Sequence, residues 1–338
     1  MVTILQLAGL NDRNEVLLIN TDKSGQKRFL DIDKVSPLLE PLNPQLFRHR
    51  KLLYGGVKSN WNVDIKPNIV YNSIGDPDRC SRSLERAQQA SKSNPFPFIN
   101  HPDLIVNVRA DRLYELTKDI EGVTSPKCLR VTPYSLNELE NALIQNGLSV
   151  PFIVKEVGTD PEVQNSFLLE DADEFYKLER FAFDGRAYYV TQFYDYRSKD
   201  DLYRKYRFFV MGNKILPGHL IVSREWYIVD DEHAHKTLNA SLNTIEKEEK
   251  TFLKTYQKKR LPALLAIKEK VGLDFFAIDC SIDEKGEILL FNIDCEAHYF
   301  ERVKNEGYYN EKQIQRYNEA VESMLLNKLK EGGPKSHV

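Results

Sequence analysis

Near the end of the chain, Asp279, Asn292 and Asp294 have the types and spacing of a hard-cation site. They lie in the stretch FAIDCSIDEKGEILLFNID, Phe276–Asp294, which reads as two strands joined by a tight turn. With Glu284-Lys285 at the tip, Asp279 faces Leu290 and Asn292 faces Ala277. Strand alternation then sets Asp279, Asn292 and Asp294 on one face, within reach of a single cation. Ile278, Cys280, Phe291, Ile293 and Cys295 take the opposite, apolar face. Oxygen donors of this kind suit Mg²⁺, which takes one or two carboxylates and completes its shell with phosphate oxygens. The alignment depends on the turn, because a loop one residue longer turns every side chain to the other face. In that case the two aspartates are strand-end residues that merely meet water.

Other chemistry-bearing residues are less organised. Tyr203-Arg204-Lys205-Tyr206-Arg207 mixes basic and aromatic side chains, as single-strand nucleic-acid binders do, and equally suits an acidic or phosphorylated substrate. His219 lies among strand-like residues near Arg224, where it either touches substrate or is hydrogen-bonded within a sheet. Trp226 and Tyr227 either wall a pocket or pack at a strand end. The run Asp230-Asp231-Glu232-His233-Ala234-His235 reads as a solvated loop rather than a metal cluster. Cys80, Cys128, Cys280 and Cys295 are widely spaced with no CxxC pair, which fits neither a disulfide framework nor a zinc site. No Ser/His/Asp or Cys/His set stands out for nucleophilic catalysis.

The elements that must position these residues follow from periodicity and breakers. Val2–Leu7 is a short apolar strand, with a second apolar patch at Val16–Ile19 after a polar turn at Asn11–Asn14. Pro44–Leu53 and Cys80–Ala90 read as helices, and with a strand at Ile69–Tyr71 they make a small α/β unit. Three prolines in Ser91–Pro102 mark a boundary. Beyond it, Leu113, Leu116 and Ile120 recur at helical spacing, and Phe152–Lys155, Phe167–Leu169 and Tyr188–Tyr194 are strand-like. Arg207–Met211 returns through a Gly212-Asn213 turn into Ile215–Ser223. Asn243–Lys270 is helical with a break at Pro262, and Ile314, Tyr317, Val321 and Leu325 mark a closing amphipathic helix. The tail Glu331–Val338 is expected to be disordered.

The chain has 338 residues, enough for two or three packed subdomains. Its 47 Lys+Arg against 50 Asp+Glu leave a formal charge of −3, so no basic field favours nucleic acid as a partner. No stretch approaches the ~20 apolar residues that span a bilayer, and MVTILQLAGLNDRNE is a poor secretory signal. No membrane partner and a cytoplasmic location are therefore expected.

Taken in order, these pieces resemble the ATP-grasp superfamily, in its glutathione synthetase-like carboxylate–amine ligase group. INHPDLIVNVRADRLYELTKDIEGVTSPKCLRV is similar to the entry of the family's nucleotide-binding subdomain, and PFIVKEVGTD to its next basic strand. The run YYVTQFYDYRSKDDLYRKYRFFVMGNKILPGHLIVSREWYI is similar to its hinge and the basic strands behind it. The resemblance implies an α+β fold in which two subdomains clasp ATP. A small α/β domain over 1–99 precedes subdomains at 100–190 and 191–330. It further implies that Arg112, after Asp111, and Lys155 bind phosphates, with Lys205 also on the nucleotide side. Gln192, Phe193 and Tyr194 would contact adenine, partly through backbone groups. Arg207 and Arg224 would face the terminal phosphate, His219 the substrate, and Asp279, Asn292 and Asp294 the magnesium.

The implied cofactors are ATP and Mg²⁺, and the implied reaction joins a carboxylate to an amine through an acyl phosphate. The substrate would be a small molecule or peptide, and a homodimer is compatible with the architecture. A kinase on the same scaffold and an inactive ATP-binding relative remain alternatives. Two departures bear on them. The loop EVGTDPEVQNSF keeps only Gly158 where relatives have a glycine-rich flap, so Thr159, Gln164 or Ser166 would have to supply phosphate donors. Relatives also commonly carry Glu and Asn where this chain has Asn292 and Asp294.

Overall fold

The computed structural model describes residues 1–13, 18–21, 27–29, 36, 38–55, 65–159, 166–228, 242–255, 261–297 and 311–331. Pro161 and Gln164 of the flap, the Asp230–His235 run and the tail beyond Glu331 lie outside these residues.

The chain opens with β1 (Val2–Gly9), followed by a ribbon of β2 (Leu18–Thr21) and β3 (Lys27–Phe29), then β4 (Phe47–Tyr54) and β5 (Ile69–Asn72). Helix α1 (Ser81–Ser91) leads to β6 (Phe98–Ile99). Strands β4, β1, β5 and β6 form a parallel sheet in that order. The near-continuous apolar run of β1, buried from Thr3 to Leu7, is what a central parallel strand requires. The helix expected over Pro44–Leu53 is instead β4, paired in register with β1 from Val2↔Phe47 to Gly9↔Tyr54. An eight-residue parallel pairing to a strand distant in sequence outweighs local helix propensity, which is a weak prior.

A 3₁₀ segment at Pro102–Val108 runs into α2 (Ala110–Thr117) and then β7 (Val123–Thr124). Next come β8 (Cys128–Val131), α3 (Leu136–Gln145), β9 (Phe152–Glu156), β10 (Ser166–Leu169) and β11 (Tyr188–Gln192). These four strands form a small antiparallel sheet ordered β10-β9-β11-β8. Alternation decides its two faces. Phe152, Val154, Tyr188 and Val190 pack on Leu139 and Leu143 of α3. Lys155, Tyr189 and Arg130 are left in a cross-strand row on the other face.

The last unit holds β12 (Tyr203–Met211), β13 (Lys214–Ser223), α4 (Leu242–Thr255), α5 (Leu261–Val271), β14 (Phe275–Ile282), β15 (Ile288–Asp294) and α6 (Glu311–Glu331). The expected break at Pro262 falls in the first turn of α5, where a missing N–H is tolerated. Its sheet is ordered β13-β12-β14-β15-β7, so the short β7 joins the large sheet rather than the small one. One face, with Phe208, Val210, Ile278 and Cys280, packs on α4 and α5 through Phe252, Leu253, Leu264 and Ile267. Half of the other face, with Phe209, Met211, Phe275 and Ala277, is covered by α6 and by Ile4, Ile69 and Tyr71 of the N-terminal unit. The uncovered half of that face carries Arg207, Asp279, Asn292 and Asp294.

Candidate active site

The β14–β15 hairpin reaches its register by two offsetting irregularities. Ile282 pairs with Ile288 and Cys280 with Leu290, which is one residue out of step with the two-residue turn expected from the sequence. The turn is longer, with Asp283 accepting from Gly286 N–H at 3.1 Å and donating its own N–H to Glu287 at 3.0 Å. A β-bulge between Asp279 and Cys280 then restores parity, so that Asp279 faces Asn292 and Ala277 faces Asp294. The three expected metal residues therefore share one face, with Asp279 and Asn292 directly opposite. Phe291, expected on the apolar face, is the bulged residue, and its ring packs on Tyr196 at 4.8 Å. Leu290 takes its place beside Cys280 in the core.

A second bulge lies on the other side. Between Arg207 and Phe208 the pairing of β12 with β13 slips, leaving Gly218 as the extra residue. A Cβ on Gly218 would lie 2.9 Å from the Arg207 carbonyl oxygen. Bulges bend a strand locally and re-aim its side chains, and here two of them flank one pair of residues. Arg207 Nε donates to Asp279 Oδ1 and Nη2 to Oδ2, both at 2.6 Å. Arg207 Nη2 also lies 3.2 Å from Asp294 Oδ2. Burial weakens the guanidinium's hold on its proton, but Asp279 and Asp294 more than offset that and raise its pKa. For Asp279, burial raises the pKa, while the charge and hydrogen bonds of Arg207, with Lys205 behind them, bring it below the ordinary carboxylate value. Lys205 itself donates to the Ile228 carbonyl at 2.8 Å. His219 is paired with Arg207 on β13, so it stands beside this wall of the cleft. Arg224 is exposed just past the end of β13 and has no ion-pair partner among the described residues.

The face of the small sheet turned away from α3 makes a second wall, which the loop after β5 ties to the first. Lys155 on β9 sits between Ser166 and Tyr189. Arg112 is exposed on α2, whereas Arg109 at the N-cap of the same helix is half-buried and holds Asp111 with a two-pronged contact of 3.1 and 2.7 Å. Arg130 and Tyr189 face Asp78, which comes from the loop after β5. Tyr189 donates its hydroxyl to Asp78 Oδ2 at 2.6 Å, and Arg130 Nη2 is 3.5 Å from Oδ1. Burial raises the Asp78 pKa, and the Tyr189 hydroxyl and Arg130 only partly offset it. Arg109, Arg130, Tyr189 and Asp78 were not singled out in the sequence. Only the row through Lys155, which follows once β8, β9 and β11 are paired, could have pointed to two of them.

Two connections hold the walls together. Past β11, Phe193 packs on Trp226 at 5.7 Å, and Tyr196 on Tyr203 at 4.7 Å, with the Tyr196 hydroxyl bonded to the Trp226 carbonyl. The Phe193 N–H donates to the Pro151 carbonyl at 2.9 Å, and the Gln192 amide donates to Pro151 and Ser149 carbonyls at 2.7 and 3.1 Å. Tyr194 is exposed. On the other side, the loop after β5 touches both walls. Its Gly75 N–H donates to Glu296 at 3.1 Å, and the Asp78 carbonyl lies 3.3 Å from where a Cβ of Gly158 would be. Thr159 Oγ1 donates to the Glu156 carbonyl at 3.0 Å, so this flap hydroxyl is turned back on its own strand.

The fold is similar to that of solved ligase structures. A D-alanine–D-alanine ligase from Bacillus anthracis, solved with ATP, matches at TM-score 0.51 and 11% identity over 98% of this chain and 98% of that one. A D-Ala:D-Ser ligase from Enterococcus faecalis matches at TM-score 0.56 and 12% identity over 97% of this chain and 99% of that one. The chain has the ATP-grasp fold. A D-alanine–D-alanine ligase from Coxiella burnetii matches at TM-score 0.56 and 10% identity, over 98% and 94% of the two chains. No protein-family model and no curated protein sequence matches the chain. Among the described residues, no group of three or more His, Cys, Asp or Glu side chains is placed to hold a metal. The hairpin face offers two carboxylates and one amide instead, a hard-oxygen set whose chemistry would fit Mg²⁺ if phosphate oxygens completed its shell. Among the same residues no helix is long and apolar enough to cross a membrane.

Proposed function

We propose that this protein is an ATP-dependent ligase that joins a carboxylate to an amine through an acyl-phosphate intermediate. The observation that carries this reading is the division of charge across the cleft. One wall presents Lys155 and Arg130, and the other presents Asp279 and Asp294 beside Arg207. Phosphoryl transfer asks for positioned charge on phosphate oxygens more than for covalent chemistry by the protein.

In this reading adenine lies at the hinge. The N–H of Phe193 is already bonded, so recognition falls to its carbonyl and to the backbone of Tyr194, with Gln192 fixing the hinge through Pro151 and Ser149. Lys155 and Arg130 hold phosphates, with Arg112 and Lys205 as outer cations. Asp279, Asn292 and Asp294 would hold a Mg²⁺, which would supply charge neutralisation at phosphate oxygens. A carboxylate oxygen of the acid attacks the terminal phosphorus and ADP departs. The amine nitrogen then attacks the acyl carbon, loses a proton, and releases phosphate. Arg207 and Arg224 steady the transferred phosphoryl group and the carboxylate, a role suited to the planar fork of Arg. His219 lines the substrate side. The substrates are small molecules or a peptide, with cytoplasmic location and a homodimer as further parts of the reading.

Hydroxylamine in place of the amine tests it. With pooled carboxylic acids and Mg·ATP, a ligase yields hydroxamate, ADP and phosphate. ADP without free phosphate or hydroxamate would instead indicate a kinase. A second reading, an ATP-binding regulatory relative, is favoured by the Arg207 ion pair over the metal carboxylates, and it requires nucleotide binding with no turnover on any acid.

A further inference from the structure

The two charged members of the proposed metal set already have a cation. Arg207 takes both oxygens of Asp279 at 2.6 Å, the geometry of a fork-to-fork pair, and reaches Asp294 at 3.2 Å. The three side chains are 15%, 7% and 26% exposed, so solvent screens this set weakly. Asn292, opposite Asp279, is neutral, and the second charge lies one pleat further on, opposite Ala277, where the guanidinium spans both carboxylates. The two bulges beside Arg207 and Asp279 hold this geometry from either side.

Resting on the nucleotide-site reading above, we infer that Arg207 is a resident cation on the metal carboxylates, and that a divalent ion enters only together with nucleotide phosphate. A guanidinium and a divalent ion together outweigh two carboxylates. Two cations a few ångströms apart in a weakly screened site repel strongly, and Lys205 adds to the surplus on the same wall. The phosphates of a nucleotide reverse that balance. They give the guanidinium a second bidentate partner and free the Asp279 oxygens for the metal. Arg207 thus changes partner from carboxylate to phosphate as the site fills. This device offsets one of the two carboxylate charges in the ligand-free cleft, and it makes metal and nucleotide bind as one unit.

Mn²⁺ binding to the full chain, followed by the loss of its free-ion EPR signal, tests this without turnover. Wild type is expected to bind Mn²⁺ weakly alone and at least about tenfold more tightly with ADP. Arg207→Met is expected to bind Mn²⁺ alone at least about tenfold more tightly than wild type. Arg207→Lys, which keeps a charge and loses the fork, is expected to fall between, and it carries the test if the Met variant does not fold. Equal Mn²⁺ affinity of wild type with and without ADP, or no gain in either folded variant, would overturn the inference. The nucleotide reading fails separately, if ADP binds no form of the protein. The nucleotide-free comparison of wild type with the variants decides the role of Arg207 in either case.

Discussion

Asp279 is buried and charged, a state that costs several kcal/mol unless a partner and hydrogen bonds compensate. Arg207 supplies both. Removing one partner of a buried pair costs more than the pair contributes, because the other charge is left behind. Asp279→Asn is therefore expected to lower stability by about 2–3 kcal/mol, with Asp294 still pairing Arg207 in part. The sign of the acid dependence follows from the lowered pKa of Asp279. Its contribution is complete above the unfolded carboxylate value, about 3.9, and is lost as pH falls through the folded value. Urea melts at neutral and acidic pH should show the gap between wild type and Asp279→Asn closing below about pH 4. A gap that is constant with pH would mean that the charge on Asp279 does not contribute. Arg112 and Arg109 show what is hard to read at this scale. Both are basic residues around Asp111, and only the N-cap position of α2 separates the half-buried one from the exposed one.

At the scale of elements, the hairpin was legible for a reason that also sets its limit. Period-two alternation in IDCSI and LLFNID puts Asp279, Asn292 and Asp294 on one face for any even slip of register. The longer turn and the bulge at Phe291 each change the parity, and together they cancel. Neither is visible in local composition. β4 departs from the helix expected over Pro44–Leu53 because its edge pairing with β1 is made by tertiary structure rather than by FRHRKLLY itself. The Lys155 strand was found, but Arg130 and Tyr189 appear beside it only after β8 and β11 are aligned. The bulge at Gly218 gives a prediction that belongs here. A Cβ there would meet the Phe209 ring at 2.7 Å and the Arg207 carbonyl at 2.9 Å, so Gly218→Ala must shift the backbone under Arg207. A loss of about 1–3 kcal/mol in stability is expected, with weaker nucleotide binding by calorimetry. Unchanged stability would mean the bulge absorbs a methyl group and does not set the position of Arg207.

Over the whole molecule, the N-terminal unit both covers half of the large sheet and places a loop against each wall of the cleft. Asn100 is one of its anchors. Its Oδ1 accepts from Asp274 N–H at 3.0 Å and Phe275 N–H at 2.8 Å, and its Nδ2 donates to the Phe275 carbonyl at 2.6 Å. With φ at 55° it occupies the left-handed region that Asn tolerates. Asn100→Ala is expected to cost about 2–4 kcal/mol, from the lost bonds plus backbone strain. Asn100→Gly, which removes the bonds but relieves the strain, should be the milder by about 1 kcal/mol in denaturant unfolding. If Gly is no milder than Ala, the left-handed backbone is not part of the cost. The fold class was legible because strand and helix runs occur in a family-like order. The closing of the cleft by Asp78 on Tyr189 was not, since it joins residues of two units that share no local signal.

ATP and magnesium are expected to bind together between the two sheets. Calorimetric titration of ATP into wild type and Lys155→Ala, with and without Mg²⁺, tests it most directly. Magnesium-dependent binding to wild type is expected, with at least about a tenfold loss, 1.4 kcal/mol or more, in the variant. Absence of ATP binding to wild type, or binding that is indifferent both to Mg²⁺ and to Lys155, would contradict it.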